Sequence, residues 1–286
     1  HPPMTAPSVA RLRRAARRLI GDLPSTGPDF FVVGATRAGT TWLHHALRAH
    51  PDIFLPEAKE LQYFNRALLY RPDHAGYGPL FGGWRGQRVV GEATPVYMVA
   101  GGLYDDTGAY RIGGEDDAIA RIARHFPAAK LVVSLRDPAT RIPSIYEKNL
   151  RQRKLDDPLA QLLERELAGE PSVLNLLYLN DYRTHLENIF ARFPSEQVKM
   201  VLFEDWRSDP KPGVEGLQRF LGVDPVFSEP AAEGAANRRE RFGELDEAAI
   251  RRLCAVPEPL MAAVLAALGP GRTWVEDLIG RELPWR

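Results

Sequence analysis

The chain has 286 residues, 37 Lys and Arg against 37 Asp and Glu, 44% apolar residues and a single cysteine. Balanced charge supplies no global field for nucleic acid or a heparin-like polyanion, so neither is expected as a partner. One cysteine excludes an intrachain disulfide and a cysteine-based zinc site. With no secretion signal and no run of about 18 apolar residues, the expectation is a cytoplasmic protein without a membrane span.

Residues 1–28 read as a Pro-rich and cationic extension, in which RLRRAARRLI forms a short helix that either touches an anionic surface or caps the domain. Residues 29–286 read as one α/β domain, because no linker interrupts the middle of the chain. Phe30 to Val33 is too short and too rich in β-formers for a helix, and predicts a buried parallel strand ending at Gly34. Gly34 and Gly39 allow a tight loop, Thr40 or Thr41 is a candidate cap, and TWLHHALRA has helical spacing. A strand, a Gly-containing loop and a helix N-terminus aim free N–H groups and a positive dipole end at one small volume. Phosphate is the expected guest, although an ordinary strand-to-helix turn has the same pattern.

The next segment, HPDIFLPEAKELQYF, is a loop punctuated by Pro51 and Pro56. It places Lys59 and Glu60 just before Tyr63 and Phe64, as a base and its neighbour or as a surface ion pair. The Gly-, Pro- and aromatic-rich stretch from Arg71 to Trp84, with His74 at the surface, reads as a substrate-facing loop. A short strand at Val89 to Gly91 and a turn at Thr94 and Pro95 follow. Gly101 to Gly114 has no apolar period and reads as a mobile loop or lid. EDDAIARIARHF is a helix closed by Pro127, and LVVSL a second buried strand.

That strand, Leu131 to Leu135, delivers Arg136 to the carboxyl edge of the sheet, where open α/β sheets bind ligands. Arg136 can chelate an oxyanion, and Ser144 can donate a hydroxyl from the following helix. Lys148 to Gly169 is a charged helix whose Arg151, Arg153 and Lys154 either reach an acidic acceptor or face water. LNDYRTHLENIFARFP is an amphipathic helix, and VKMVLFEDW a strand and turn, with Glu204 and Asp205 shaping the turn. GVEGLQRFLGVDP is a helix stopped at Gly222 and Pro225. The remainder predicts packing helices, with Trp274 and Trp285 in the core.

Several segments carry a resemblance. A P-loop kinase needs Lys directly after its second Gly, in GxxxxGK[ST]. Here Gly39 is followed by Thr40, and the cation is Arg37, two residues before the Gly. VVGATRAGTTW thus resembles the 5′-phosphosulfate loop, K/R-x-G-T-T/S, of sulfotransferases that use 3′-phosphoadenosine 5′-phosphosulfate (PAPS), including the Trp42 of the cytosolic branch. Arg136, Asp137, Pro138, Arg141, Ser144 and Tyr146 resemble the family's 3′-phosphate motif, R-D-P-x-x-R-x-x-S-x-Y. Glu60 to Phe64 resembles the E-x-x-F-F segment that carries the base in heparan-sulfate-type members. GEATPVY resembles G-E-x-[ST]-P-x-Y, but Ala93 replaces a lysine of those members, so that either the second cation of their mechanism is missing or Lys59 supplies it from the neighbouring loop.

The resemblance implies a three-layer P-loop-kinase-like α/β fold, with a central parallel sheet flanked by helices. It implies sulfuryl transfer from PAPS to a hydroxyl, or less readily an amine, of a small-molecule, carbohydrate or lipid acceptor, releasing adenosine 3′,5′-bisphosphate without a metal. Ala/Arg/Gly-rich usage suggests a bacterial source. The implied catalytic set is Glu60, Arg37 and Lys59, with His44 or His45 as alternative bases. The implied donor contacts are Arg37, Ala38, Gly39, Thr40, Thr41, Trp42, Arg136 and Ser144, with Tyr182 on adenine and Arg238, Arg239 and Arg241 in a covering loop. A small-molecule kinase using ATP and Mg²⁺, and a non-catalytic nucleotide-binding module, are the rivals.

Overall fold

A computed structural model describes residues 27–285, apart from 74–75, 154, 156, 229 and 231–245. Most of the expected N-terminal extension, together with His74 and Lys154, therefore lies outside the described residues. The strands are β1 (Phe30–Gly34), β2 (Ile53–Phe54), β3 (Val89–Ala93), β4 (Leu103–Tyr104), β5 (Tyr110–Arg111), β6 (Lys130–Leu135) and β7 (Val198–Leu202). Five of them form one sheet in the order β2-β3-β1-β6-β7, with every pairing parallel.

Side chains alternate across this sheet, and the two faces bury different partners. Phe31, Val33, Leu131 and Val133 pack with Ile119 and Ile122 of helix α2 (Ala118–His125) and with Leu186 and Ile189 of a helix at Tyr182–Phe190. Phe30, Val32 and Val132 face the other way. They pack with Leu43 and Leu47 of α1 (Thr40–Arg48) and with Leu217 and Leu221 of a helix at Pro210–Leu221. The expected central parallel sheet flanked by helices is thus present. A third apolar cluster joins α3 (Pro138–Arg153), α4 (Leu159–Leu167) and α5 (Leu176–Asn180) to the C-terminal helices at Glu247–Cys254 and Glu258–Ile279. No single helix among the described residues is long and apolar enough to cross a membrane.

The strand order locates the site. From β1 the chain moves to one side, through β2 and β3, and returns to place β6 and then β7 on the other. The order reverses between β1 and β6, whose carboxyl ends lead to Arg37 and Arg136. A crevice opens at such a switch point, because the following connections diverge.

One loop expectation is corrected, and a second segment takes a defined form. The stretch from Arg71 to Trp84 is not substrate-facing: Tyr77, Phe81 and Trp84 are buried, and Tyr77 and Phe81 pack in an aromatic cluster with Tyr63 and Phe64. The 101–114 segment is a hairpin of β4 on β5, with the Tyr104 and Tyr110 rings 4.8 Å apart. Its turn is held by Asp105, whose carboxylate accepts from the Thr107 and Ala109 N–H groups and from Arg111. The Thr107 and Arg111 hydrogen bonds pull that carboxyl down to about 2.

Candidate active site

The loop after β1 turns on two left-handed residues, Arg37 at φ 64° and Gly39 at φ 75°. Gly39 is required twice over, since a Cβ there would also stand 2.2 Å from the Trp206 ring. Gly39 itself is the N-cap of α1, with no side-chain cap, so neither threonine caps the helix. The Thr40 and Thr41 hydroxyls instead accept hydrogen bonds from Lys59 Nζ, at 3.1 and 3.3 Å.

The segment after β6 reaches back into this loop. Arg136 donates to the Arg37 carbonyl at 2.9 Å and to Thr140 Oγ1 at 3.0 Å. Arg141, 2% exposed, donates to the Thr36 carbonyl at 2.8 Å and to Asn180 Oδ1 at 2.9 Å. Ser144 Oγ accepts from Arg37 Nε at 2.9 Å. The two motifs therefore form one hydrogen-bonded unit. Burial works against the charge of Arg37 and of Arg136; Glu147 and Glu60 restore part of it for Arg37, and Glu204 for Arg136.

Lys59 and Glu60 enter from the loop after β2. Tyr63 and Phe64, 3% and 0% exposed, anchor that loop in the aromatic core. Glu60 is fixed by its N–H on the Ala93 carbonyl at 2.9 Å and has φ 61°. Lys59 Nζ completes a third contact with Glu60 Oε1 at 3.3 Å. Burial lowers the Lys59 pKa, and Glu60 opposes this only in part.

Arg37, Gly39, Thr40, Thr41, Lys59, Glu60 and Arg136 line a cleft of about 340 Å³ with Thr36, Trp42, Lys148, Phe203, Trp206 and Arg207, while Ser144 and Arg141 lie behind it, outside the lining. The Trp42 and Trp206 rings are stacked, with centroids 5.0 Å apart, and the Arg136 guanidinium lies 4.7 Å from the Phe203 centroid. A loop of N–H groups and several cations around aromatic walls suits an anionic nucleotide.

Sequence reasoning passed over Lys148, Phe203, Trp206 and Arg207 as binding groups. For Lys148 the signal was present: Arg141, Ser144 and Lys148 are spaced i, i+3, i+7 and share one face of α3. Phe203, Trp206 and Arg207 come from the helix at Phe203–Ser208 that directly follows β7, and no local pattern ties that helix to the loop.

Three expected contacts are corrected. His44 is 1% exposed and donates from Nε2 to the Pro56 carbonyl at 2.9 Å; burial pulls its pKa down to about 4. It packs α1 rather than meeting the cleft. His45 stacks edge-on against His44 and does not line the cleft either. Tyr182 is 2% exposed, and its hydroxyl donates to the Arg136 carbonyl at 2.7 Å and accepts from the Arg136 N–H at 3.2 Å. With its ring against Trp285, 5.5 Å away, it holds Arg136 and has no face open to adenine. Arg238, Arg239 and Arg241 lie outside the described residues. Ala38 is buried, and its carbonyl accepts from Ser134 Oγ at 2.7 Å.

Residues 27–233 match the model of the sulfotransferase domain family. The chain belongs to the sulfotransferase family. This sulfotransferase is 29% identical over 205 residues to human heparan sulfate glucosamine 3-O-sulfotransferase 3B1, covering 71% of this chain and 48% of that protein. It is also 29% identical over 216 residues to mouse bifunctional heparan sulfate N-deacetylase/N-sulfotransferase 4, covering 70% of this chain and 23% of that one. The chain thus spans at most about half the length of these curated relatives. Among solved structures, a sulfotransferase from Alicyclobacillus acidocaldarius superposes with a TM-score of 0.64 at 26% identity, covering 90% of this chain and 97% of that one. The P-loop-kinase-like fold and an enzyme that transfers sulfuryl groups follow from this membership.

Proposed function

We propose that this sulfotransferase takes its sulfuryl group from PAPS and delivers it to a hydroxyl, more readily than to an amine, of a small molecule, carbohydrate or lipid. The observation that carries this reading is Lys59 Nζ, which contacts Thr40, Thr41 and Glu60 together and so sets a candidate base beside an anion-binding loop. Arg37, Lys59, the loop N–H groups and the two threonines suit the 5′-phosphosulfate. Arg136, in the cleft lining, is the donor suited to the 3′-phosphate, with Ser144 behind it accepting from Arg37, and Trp42 stands at the aromatic wall.

PAPS supplies a sulfur electrophile already bonded to a good leaving group, so that as the acceptor oxygen bonds to sulfur the electron pair of the old S–O bond departs on the 5′-phosphate. Glu60 takes the proton that the acceptor hydroxyl loses. Arg37 and Lys59 stabilise negative charge building on the phosphate side, in a partly dry cleft where a fixed cation is worth more than in water. Arg37 stays protonated throughout and acts only electrostatically. Lys59 occupies the role that Ala93 leaves vacant relative to heparan-sulfate-type members. Tyr182 and Arg141 hold Arg136 and the loop backbone in place.

The test is acceptor-dependent formation of adenosine 3′,5′-bisphosphate from PAPS, followed chromatographically beside an ATP–Mg²⁺ control. Release that rises with acceptor, with none from ATP, supports the reading. Phosphoryl transfer from ATP and no release from PAPS overturns it.

A further inference from the structure

A second cleft of about 350 Å³ adjoins the first and shares Thr36, Arg37, Glu60 and Lys148 with it. Among the described residues, the shared ones hold every formal charge in its lining. Beyond them the wall is neutral: Tyr104 and Tyr110 from the hairpin, Asn149 and Gln152 from α3, and Val173 and Leu174 before α5, with further amide and aliphatic groups between. Tyr104 and Tyr110 face each other at 4.8 Å and form the aromatic part of the wall.

Backbone strain independently marks this cleft as a binding surface. Four described non-glycine residues have φ in the left-handed region, Arg37, Glu60, Gln62 and Asn175, and all four line it. Residues held in that region tend to cluster where a ligand is gripped.

Resting on the PAPS reading above, we propose that this cleft is the acceptor site and that its acceptor is an uncharged, half-apolar alcohol or phenol rather than a polyanionic glycan. The cations of the cleft, Arg37 and Lys148, also line the donor cleft and are opposed by a doubly charged phosphosulfate there. Among the described residues the next cation is Arg66, which is engaged behind the wall, its guanidinium 4.6 Å from the Tyr104 ring centroid and donating to Gln62 Oε1. An acceptor carboxylate or sulfate therefore stands close to the Glu60 carboxylate and finds no cation in the described lining beyond the two that the donor already opposes. A neutral ring or alkyl body instead buries apolar surface on the tyrosines and aliphatic groups, while the amides satisfy its remaining polar atoms.

The experiment compares 2-naphthol, 1-octanol, 6-hydroxy-2-naphthoate and the uronate polysaccharide heparosan as acceptors, with calorimetric binding of adenosine 3′,5′-bisphosphate measured on the same preparation. The expected result is sulfation of the neutral alcohols, with kcat/KM for 2-naphthol at least tenfold above that for its carboxylate, and none of heparosan. Gln152→Lys, which adds a cation to the neutral wall, should shrink the naphthol-to-naphthoate ratio at least fivefold. Preferential sulfation of heparosan, no turnover of either neutral alcohol while the bisphosphate still binds, or an unchanged ratio in Gln152→Lys overturns the acceptor assignment and leaves the donor reading standing. Loss of bisphosphate binding itself overturns both.

Discussion

Lys59 Nζ lies 3.1 Å from Thr40 Oγ1, so an ammonium from the loop after β2 sits at the first turn of the helix that follows β1. A kinase-type loop carries its ammonium on a lysine beside the second glycine; here, besides Arg37 within the loop, Lys59 brings an ammonium to Thr40 from 19 residues away. That arrangement makes the charge part of the same segment as the candidate base.

Lys59→Ala should lower kcat by about 10² to 10³, the worth of a preorganised donor to a developing anion, and Lys59→Arg should recover part of it. Because burial lowers the Lys59 pKa and its charged form is the active one, wild-type kcat/KM should fall as pH rises, and should do so below the usual lysine range. Lys59→Arg should lack that alkaline limb. Coinciding pH–rate profiles for the two proteins would remove Lys59 from the mechanism.

Glu60→Gln should cost about 10² to 10⁴ in turnover, the usual worth of a general base, while adenosine 3′,5′-bisphosphate affinity stays within about twofold. His45→Gln should leave turnover within about twofold, since His45 does not line either cleft. The reverse pattern in single-turnover assays would move the base to the helix.

Tyr182→Phe separates two roles for one ring. The variant keeps the ring but loses the hydroxyl that bridges the Arg136 backbone, so bisphosphate affinity should weaken about fivefold, or about 1 kcal/mol. Unchanged calorimetric affinity would mean that the hydroxyl does not position Arg136.

Burial holds both His44 and His185 down to about 4 from the usual 6.5. A folded pKa below the unfolded one means that the unfolded chain binds the proton more tightly. The stability these neutral rings contribute is therefore complete above about pH 6.5 and is lost as pH falls toward 4. Each should account for about 2 kcal/mol of lost stability between pH 7 and pH 5. His44→Gln and His185→Gln, unfolded by denaturant at both pH values, should each show a smaller loss than wild type. Equal losses would place the acid sensitivity elsewhere.

The strand-loop-helix of the first motif was legible, because a short β-branched run, Gly39 and a helical period each demand one local conformation. So was the second motif, since Arg136 and Ser144 sit at spacings that a strand end and one helix turn define. What local spacing does not encode is which distant groups meet. Tyr182 looked like a ligand contact because an aromatic that packs against Trp285 has the same sequence signature as one that packs against a base. His44 is a candidate base only through the resemblance to the cytosolic branch, and its place one turn into the helix says nothing of the Pro56 carbonyl that its ring meets. The 101–114 segment lacked an apolar period, yet Tyr104 pairs with Tyr110 across an Asp105 turn, a device carried by individual residues rather than by a repeat. Lys59 reached its place through the burial of Tyr63 and Phe64, a tertiary event.

The most direct measurement is calorimetric titration of the purified protein with adenosine 3′,5′-bisphosphate in the absence of metal, beside ATP–Mg²⁺, for wild type, Arg37→Ala and Arg136→Ala. The account predicts binding of the bisphosphate near the micromolar range, at least tenfold weaker in each variant, and none of ATP–Mg²⁺. Binding of ATP–Mg²⁺ alone, or bisphosphate affinity indifferent to both arginines, would contradict it.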